Sequence, residues 1–232
     1  LKLDDLRGNF GKTGFDGRGL YAPGAVPRLA FDFHADQLDL DPFLPLSSPE
    51  TDDARSAGAA PSLFPEEEEA TSLLPPDLAL DLGIRIDAAR YRDGVISRIA
   101  FKAHADAGAL VIDQAAANFP GASDLSFKGR VGGSWALPKI EGALAAASSN
   151  LRALLGWLEI ETDFGSTPTG PQEVLNRFSV NARIAADPGM LALDDLALVL
   201  DASSIRGDVA FSGFDGRLGL TADLDLDRLD LD

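Results

Sequence analysis

From residue 77 onward, apolar side chains return at every second position. Leu78, Leu80, Leu82, Ile84 and Ile86 alternate with Ala79, Asp81, Gly83, Arg85 and Asp87, and Ile99, Phe101, Ala103 and Ala105 alternate with Arg98, Lys102, His104 and Asp106. A period of two puts one class of side chain on each face of an extended strand, whereas a helix would scatter it. Leu125, Phe127 and Val131 keep the rhythm, as do Phe178 to Ile184, Val209 with Phe211, and Leu218 to Leu226. The pattern predicts half-buried antiparallel strands, each with one apolar and one wet face. Turn signals at Asp16-Gly17, Pro23-Gly24, Asp93-Gly94, Gly132-Gly133 and Asp215-Gly216 punctuate it. About ten to thirteen strands are expected, in an all-β chain with one short helix.

That helix is expected after Ser149-Asn150, where Leu151, Leu154, Leu155 and Leu158 fall on one helical stripe behind a good N-cap. Trp157 lies at the edge of the stripe, which is expected to plug an apolar surface locally; a lid or a lipid-headgroup contact is the alternative. Residues 47–76 break the strand pattern. They hold five of the fourteen prolines, the run Glu66 to Glu69, and seven acids against one Arg, which reads as a solvated linker or long loop. The expected layout is therefore a β block over 1–46, the acidic linker over 47–76, a β-meander over 77–148, the helix within 149–160, and a second β block over 173–232.

The formal charge of −17 disfavours nucleic acid and anionic membrane surfaces as partners. There are no cysteines, so disulfides, thiolate metal sites and Cys nucleophiles are all out of reach. No run of apolar residues is long enough to span a bilayer as a helix, and no signal peptide is evident. The chain opens and closes in mid-pattern and reads as a fragment, with any anchor lying outside it.

A block of signals occurs at both ends. Leu1 to Asp4, Arg7-Gly8, Gly14 to Arg18 and Leu38 to Asp41 find counterparts in Leu198 to Asp201, Arg206-Gly207, Gly213 to Arg217 and Leu229 to Asp232. This suggests a repeat-built fold. Near the end of each block the apolar parity slips, at Gln37 and Arg228, and a β-bulge or strand end is expected there.

Leu-Asp-Leu-Asp segments put carboxylates roughly 7 Å apart on one face, a repulsion of about 0.6 kcal/mol in water. Burying one Leu is worth about 1.5–3 kcal/mol, so the acid ladder stands without a metal, and no cofactor is expected. His34, between Asp32 and Asp36, and His104, between Lys102 and Asp106, both fall on wet faces without a nucleophile elbow, so they are expected to be surface residues. No catalytic residues are expected, and no enzyme.

A dozen one-sided strands make a broad apolar face that one short helix cannot cover. The strands either close on each other or leave an open groove, far larger than the patch a monomer normally exposes. In its terminal blocks with Pro42 to Pro45, in the run Ile86 to Ala122, and in Asn150 to Ile160 leading into Arg177 to Asp201, the sequence resembles the AsmA family of bacterial envelope proteins. The resemblance implies a periplasmic protein tethered to the inner membrane, related to TamB- and YhdP-like proteins, that shields acyl chains in a β-groove during outer-membrane biogenesis and assembly. On this reading the fold is an elongated, twisted, mostly antiparallel sheet curved into an open groove. Phospholipid or another acyl-chain lipid is the expected partner, with other envelope proteins as further partners. The expected lipid-facing residues are Leu29, Phe31, Phe33, Leu80, Leu82, Ile84, Phe101, Phe178, Val180, Leu218, Leu220 and Leu224. The alternative is a closed β-sandwich or barrel that binds protein or glycan, with the leucines as core.

Overall fold

A computed structural model of the chain describes residues 1–42, 72–160, 176–213 and 218–228. Twelve strands form one sheet in which every strand lies beside its neighbours in sequence. They are β1 (Lys2–Phe10), β2 (Thr13–Ala22), β3 (Arg28–Asp39), β4 (Ala79–Tyr91), β5 (Gly94–Asp106), β6 (Ala109–Phe119), β7 (Ser123–Gly133), β8 (Pro138–Ser148), β9 (Phe178–Asp187), β10 (Met190–Leu200), β11 (Ser203–Ser212) and β12 (Gly219–Arg228). Among the described residues the single helix, α1 (Leu151–Trp157), sits between β8 and β9. The sheet is not closed into a barrel: β1 and β12 are its two edges. All neighbouring pairs are antiparallel except β3 and β4, which run parallel. Parallel neighbours need a long crossover, and the acidic segment supplies it; its residues 43–71 lie outside the described ones. The sequence blocks on either side of that segment thus share one sheet.

The closed sandwich with a leucine core is not the fold. The buried hydrophobic residues among the described ones are mostly small, namely Ala35, Ala89, Ala103, Ala109 and Ala182 with Leu80 and Leu196, and no large side chain is fully buried. Strand pairing rather than a packed interior holds this chain together. Each added strand completes the backbone hydrogen bonds of the one before and lays its side chains beside those already there.

Several turn and repeat expectations need correction. Asp16-Gly17 lies inside β2, because Gly11, with φ +62°, and Lys12 have already made the β1–β2 turn. Asp215-Gly216 lies outside the described residues. Gln37 carries no bulge: β3 and β4 keep one register from Arg28 opposite Ala79 to Asp39 opposite Arg90. What ends near Gln37 is the pairing with β2, whose last partner on β3 is Ala35.

The repeat is present, but in a different alignment from the one the Arg-Gly and Gly-Phe-Asp-Gly-Arg signals suggest. Adding 190 to the residue numbers of β2 gives β11 end to end, and the same shift carries the Gly11-Lys12 turn onto Asp201-Ala202. It also carries Leu3-Asp4-Asp5-Leu6 onto the identical tetrapeptide Leu193 to Leu196. Gly17 lies across from Leu6 and Phe33, and Gly207 lies across from Leu196 and Leu224. The unit β1–β2–β3 thus recurs as β10–β11–β12.

α1 is shorter than its leucine stripe suggests. Asn150 caps it, its side-chain oxygen accepting from the Ala153 N–H at 3.1 Å, and Leu158 already belongs to the C-cap. Trp157 packs edge-on against Tyr91, with ring centroids 6.1 Å apart, and its indole N–H donates to the Tyr91 carbonyl. Its ring also meets Phe119 and the turn at Gly94 and Pro120. The helix therefore braces the β4–β5 and β6–β7 turns at one end of the strands.

Candidate functional site: an uncovered apolar face

Register fixes which side chains share a face, because directly opposed residues in a sheet point the same way. Starting at Leu6, the partners across the sheet are Gly17, Phe33, Ile84, Phe101, Ala115, Phe127, Leu144 and Ala182. The row continues through Leu196, Gly207 and Leu224. It crosses every strand without one polar side chain. The row beside it runs from Leu3 through Gly19, Phe31, Leu82, Ala103, Ile112, Gly129, Gly142, Ile184, Leu193 and Val209 to Ala222. Flanking rows carry Phe15, Ala35, Ile86, Leu125, Ala146, Val180, Leu198, Ile205 and Leu226 on one side, and Leu29, Leu80, Leu110, Val131, Ile140, Leu191, Phe211 and Leu220 on the other. Tyr21, across from Leu29, adds a polar group at the end of the last row.

Eleven of the twelve residues expected to face lipid fall on this face. Leu29, Phe31, Phe33, Leu80, Leu82, Ile84, Phe101, Val180, Leu220 and Leu224 lie in the four rows. Phe178 lies beyond Val180 at the α1 end, opposite Ser148 and Leu200, and Leu218 precedes β12 at 75 % exposure. Sequence reasoning missed the half of the face that belongs to β6–β8 and β10–β11. Phe127 belongs to an alternating run, whereas Leu144, Ile112 and Leu196 do not stand out in the sequence. The doublets Asp4-Asp5, Asp113-Gln114 and Asp194-Asp195 interrupt the parity and hide the continuity.

Those doublets are β-bulges. Register shifts between Leu3 and Leu6, between Ile112 and Ala115, and between Leu193 and Leu196. Asp5 and Asp195 take the left-handed conformation, at φ 61° and 51°. Each bulge absorbs one extra residue, so the apolar residues on both sides stay on the apolar face. The three bulges fall between the same two rows, on β1, β6 and β10.

The aromatic rings lie down on this face. Phe15, Phe33 and Phe31 form a run with centroids 6.2 and 6.1 Å apart. A ring edge of Phe15 covers Gly8, and Phe127 covers both Gly129 and Gly142. These rings fill the gaps that glycine leaves on neighbouring strands.

The opposite face is charged and ordered by ion pairs that cross between strands. Asp32 on β3 sits between Arg18 of β2, at 3.3 Å, and Arg85 of β4, at 3.7 Å. Arg130 pairs with Asp106 at 2.6 Å, Arg90 with Asp39 at 2.7 Å, and Arg183 with Asp195. Arg130 holds the Asp106 carboxyl below the usual carboxylate range, and Arg90 does the same for Asp39. The histidines, expected as isolated surface residues, are part of this network. His34 lies with Nδ1 2.9 Å from Asp16 and Nε2 3.3 Å from Asp87, and hydrogen bonding to these carboxylates raises its pKa above the ordinary histidine value. His104 meets Asp113 at 2.9 Å. A depression of about 620 Å³ on this face is edged by Arg18, Arg85, Lys102 and His104.

Twelve strands about 4.8 Å apart and four rows about 7 Å apart give an apolar face on the order of 1,500 Å². That is several times the few hundred Å² usual for an exposed patch. Leu3, Leu29, Phe31, Leu125, Phe211, Leu220 and Leu226 are each more than a third exposed on it. Among the described residues, no helix is long and apolar enough to cross a membrane. Comparison with family models, with curated proteins and with solved structures finds no match to this chain.

Proposed function

We propose that this chain is a non-enzymatic segment of an AsmA-like envelope protein that shields lipid acyl chains against its apolar face as they pass between inner and outer membranes in outer-membrane biogenesis. The observation that carries this reading is the apolar row from Leu6 to Leu224, which crosses all twelve strands without a polar side chain and which no other element among the described residues covers. A surface of this kind gains about 25 cal/mol for each Å² of apolar area removed from water, and a long hydrocarbon chain is the ligand that can follow it from edge to edge. The line of bulges supports a groove. Each places two polar side chains in succession on the outer face, which lengthens that face and bends the strands toward the apolar one. Phospholipid is the partner favoured, the charged reverse face stays in water, and the protein is periplasmic, tethered to the inner membrane outside this segment.

Mass spectrometry of the chain purified from a bacterial host tests this. Co-purifying phospholipid is expected, and it should be lost when Phe33 or Phe101 is replaced by aspartate in a chain that still folds. Protein free of lipid, with a face that neither binds a naphthalene sulfonate dye nor takes up phospholipid from vesicles, would sink the proposal.

A further inference from the structure

The two ends of the strands differ in chemistry. At the end where α1 packs, the turns are charged or covered. Gly11-Lys12, Arg92-Asp93 and Asp201-Ala202 carry charge, and the β6–β7 turn accepts a hydrogen bond from the Asn150 N–H of the helix cap. At the opposite end, the four turns of which every residue is described, at 23–27, 107–108, 134–137 and 188–189, hold no charged residue. A quarter of the chain is charged, and turns run over the surface where charge is ordinarily placed. An end without it is out of character. The nearest charges, Arg28, Asp106, Lys139 and Asp187, sit inside the strands, and Asp77 lies in the segment that enters β4.

Large apolar side chains stand out from two of these uncharged turns. Val26 is 61 % exposed, Trp135 59 % and Leu137 62 %. The same turns are short of groups that need water. Pro23, Pro27 and Pro138 bring no N–H. The Ser134 N–H donates to the Leu137 carbonyl at 3.3 Å, and the Leu137 N–H donates to the Ser134 hydroxyl at 3.1 Å. The Pro27 carbonyl accepts from the Ala79 N–H at 3.0 Å. A turn whose polar backbone groups are satisfied internally enters a medium poor in hydrogen-bond partners at low cost. The apolar face begins directly behind: Leu29 follows Val26 and Ile140 follows Leu137, both more than a third exposed.

We infer that this end of the sheet docks on a lipid bilayer, with the turns at 23–27 and 134–137 set into its interface. Tryptophan, apolar in body and polar at one edge, suits that depth, and Val26 and Leu137 add apolar area to bury there. Zwitterionic lipid is the surface that fits, because a chain of formal charge −17 is repelled by an anionic one. A protein partner is the poorer occupant, since these turns offer no charge for a specific surface to read. The docking rests on turn chemistry alone. That the docked end hands acyl chains to the apolar face rests on the function proposed above.

Flotation of the full chain with vesicles of phosphatidylcholine and phosphatidylethanolamine tests the docking. The chain should rise with the vesicles, and adding phosphatidylglycerol should weaken the association. Trp135→Asp and Leu137→Asp should each lower partitioning about tenfold at an unchanged melting temperature, while Trp135→Phe should keep most of it. Val95→Asp is the control, because Val95 is 53 % exposed beside the β4–β5 turn at the α1 end; it should leave flotation as it is. A chain that does not float, binding that Trp135→Asp leaves intact, or equal losses with Val95→Asp and Trp135→Asp would overturn the inference. So would a dimer of the chain that dissociates on Trp135→Asp, since a second copy would then cover the turn. The function proposed above fails separately. A chain that floats but holds no phospholipid on its face would sink that reading alone, and one that holds phospholipid but does not float would sink the docking alone.

Discussion

A Cβ at Gly17 would stand 2.9 Å from the carbonyl oxygen of Asp32, and this contact fixes how closely β2 approaches β3. Gly207 meets the Asp223 carbonyl in the same way in the second unit, at φ +140°. Both glycines lie opposite a leucine that follows a bulge, where the chain needs backbone against backbone. Gly17→Ala and Gly207→Ala are each expected to cost about 1–3 kcal/mol through forced backbone shifts. Gly19→Ala, whose nearest atoms lie at 3.8 Å, should be tolerated. Urea denaturation of the three variants checks the contrast, which would fail if all three behaved alike.

The bulge at Asp195 offers a second prediction. Its backbone N–H donates to Asp208 at 2.9 Å while its φ of 51° is one that most residues resist. Asp195→Gly should leave stability within about 1 kcal/mol, with relief of backbone strain offsetting the lost Arg183 pair. Asp195→Val should destabilise by about 1–2 kcal/mol. Deleting Asp195 is the severe case, because it sends Leu196, Leu198 and Leu200 to the charged face. That variant should expose protease sites in β10–β12, and limited proteolysis would show whether it does.

Strand class and facing were legible in the sequence because alternation is a local signal, and the leucines of β4 declare their face without help from the rest of the chain. Register was less legible. The Leu-Asp-Asp-Leu tetrapeptides at residues 3–6 and 193–196 interrupt the two-residue alternation. Only when β2 and β11 are seen across from them do Gly17 and Gly207 identify both as bulges. The longer Arg-Gly and Gly-Phe-Asp-Gly-Arg matches were misleading for the same reason: Arg7-Gly8 sits on a bulged edge strand and Arg206-Gly207 on its neighbour's counterpart. Nor could the parallel β3–β4 pairing be read locally, because the segment between the two strands carries no strand signal and the contact depends on a long crossover. The ion pairs of the polar face, with His34 between Asp16 and Asp87, follow from pairing and appear only with it.

His34 makes stability depend on pH in a defined direction. Its folded pKa is raised by Asp16 and Asp87, so the folded chain holds the proton more tightly than the unfolded one. The contribution is fully present below the ordinary histidine value of 6.5 and is lost as pH rises through the folded pKa. Thermal melting should therefore show a midpoint that falls between mildly acidic and mildly alkaline pH, and His34→Asn should flatten that slope. Asp39 and Asp106 act at the other end of the scale. Their lowered pKa values stabilise the fold above the ordinary carboxylate range, and that stabilisation is lost as pH falls through the lowered values. A slope unchanged by His34→Asn would show that the cross-strand contacts of His34 do not form in solution.

The apolar face itself can be tested by separating binding from folding. Leu220 is 65 % exposed on the edge strand, so Leu220→Asp removes little buried area and should change stability by no more than about 0.5 kcal/mol. Phe33 is different, because it touches Phe15 and Phe31 and stands over the Gly17 gap. Phe33→Ala should cost about 3–5 kcal/mol if the site behaves as a packed core and clearly less if it is open to water. If the face holds hydrocarbon, both changes should lower the amount of phospholipid retained, and the loss with Leu220→Asp should come without a matching loss of stability. A face that serves only as structural packing would give the reverse: Leu220→Asp would leave bound lipid untouched, and the effect of Phe33→Ala on lipid would follow unfolding alone. Measuring denaturation midpoint and lipid-to-protein ratio on the same preparations distinguishes the two, because only a binding surface lets the second quantity move while the first stays fixed.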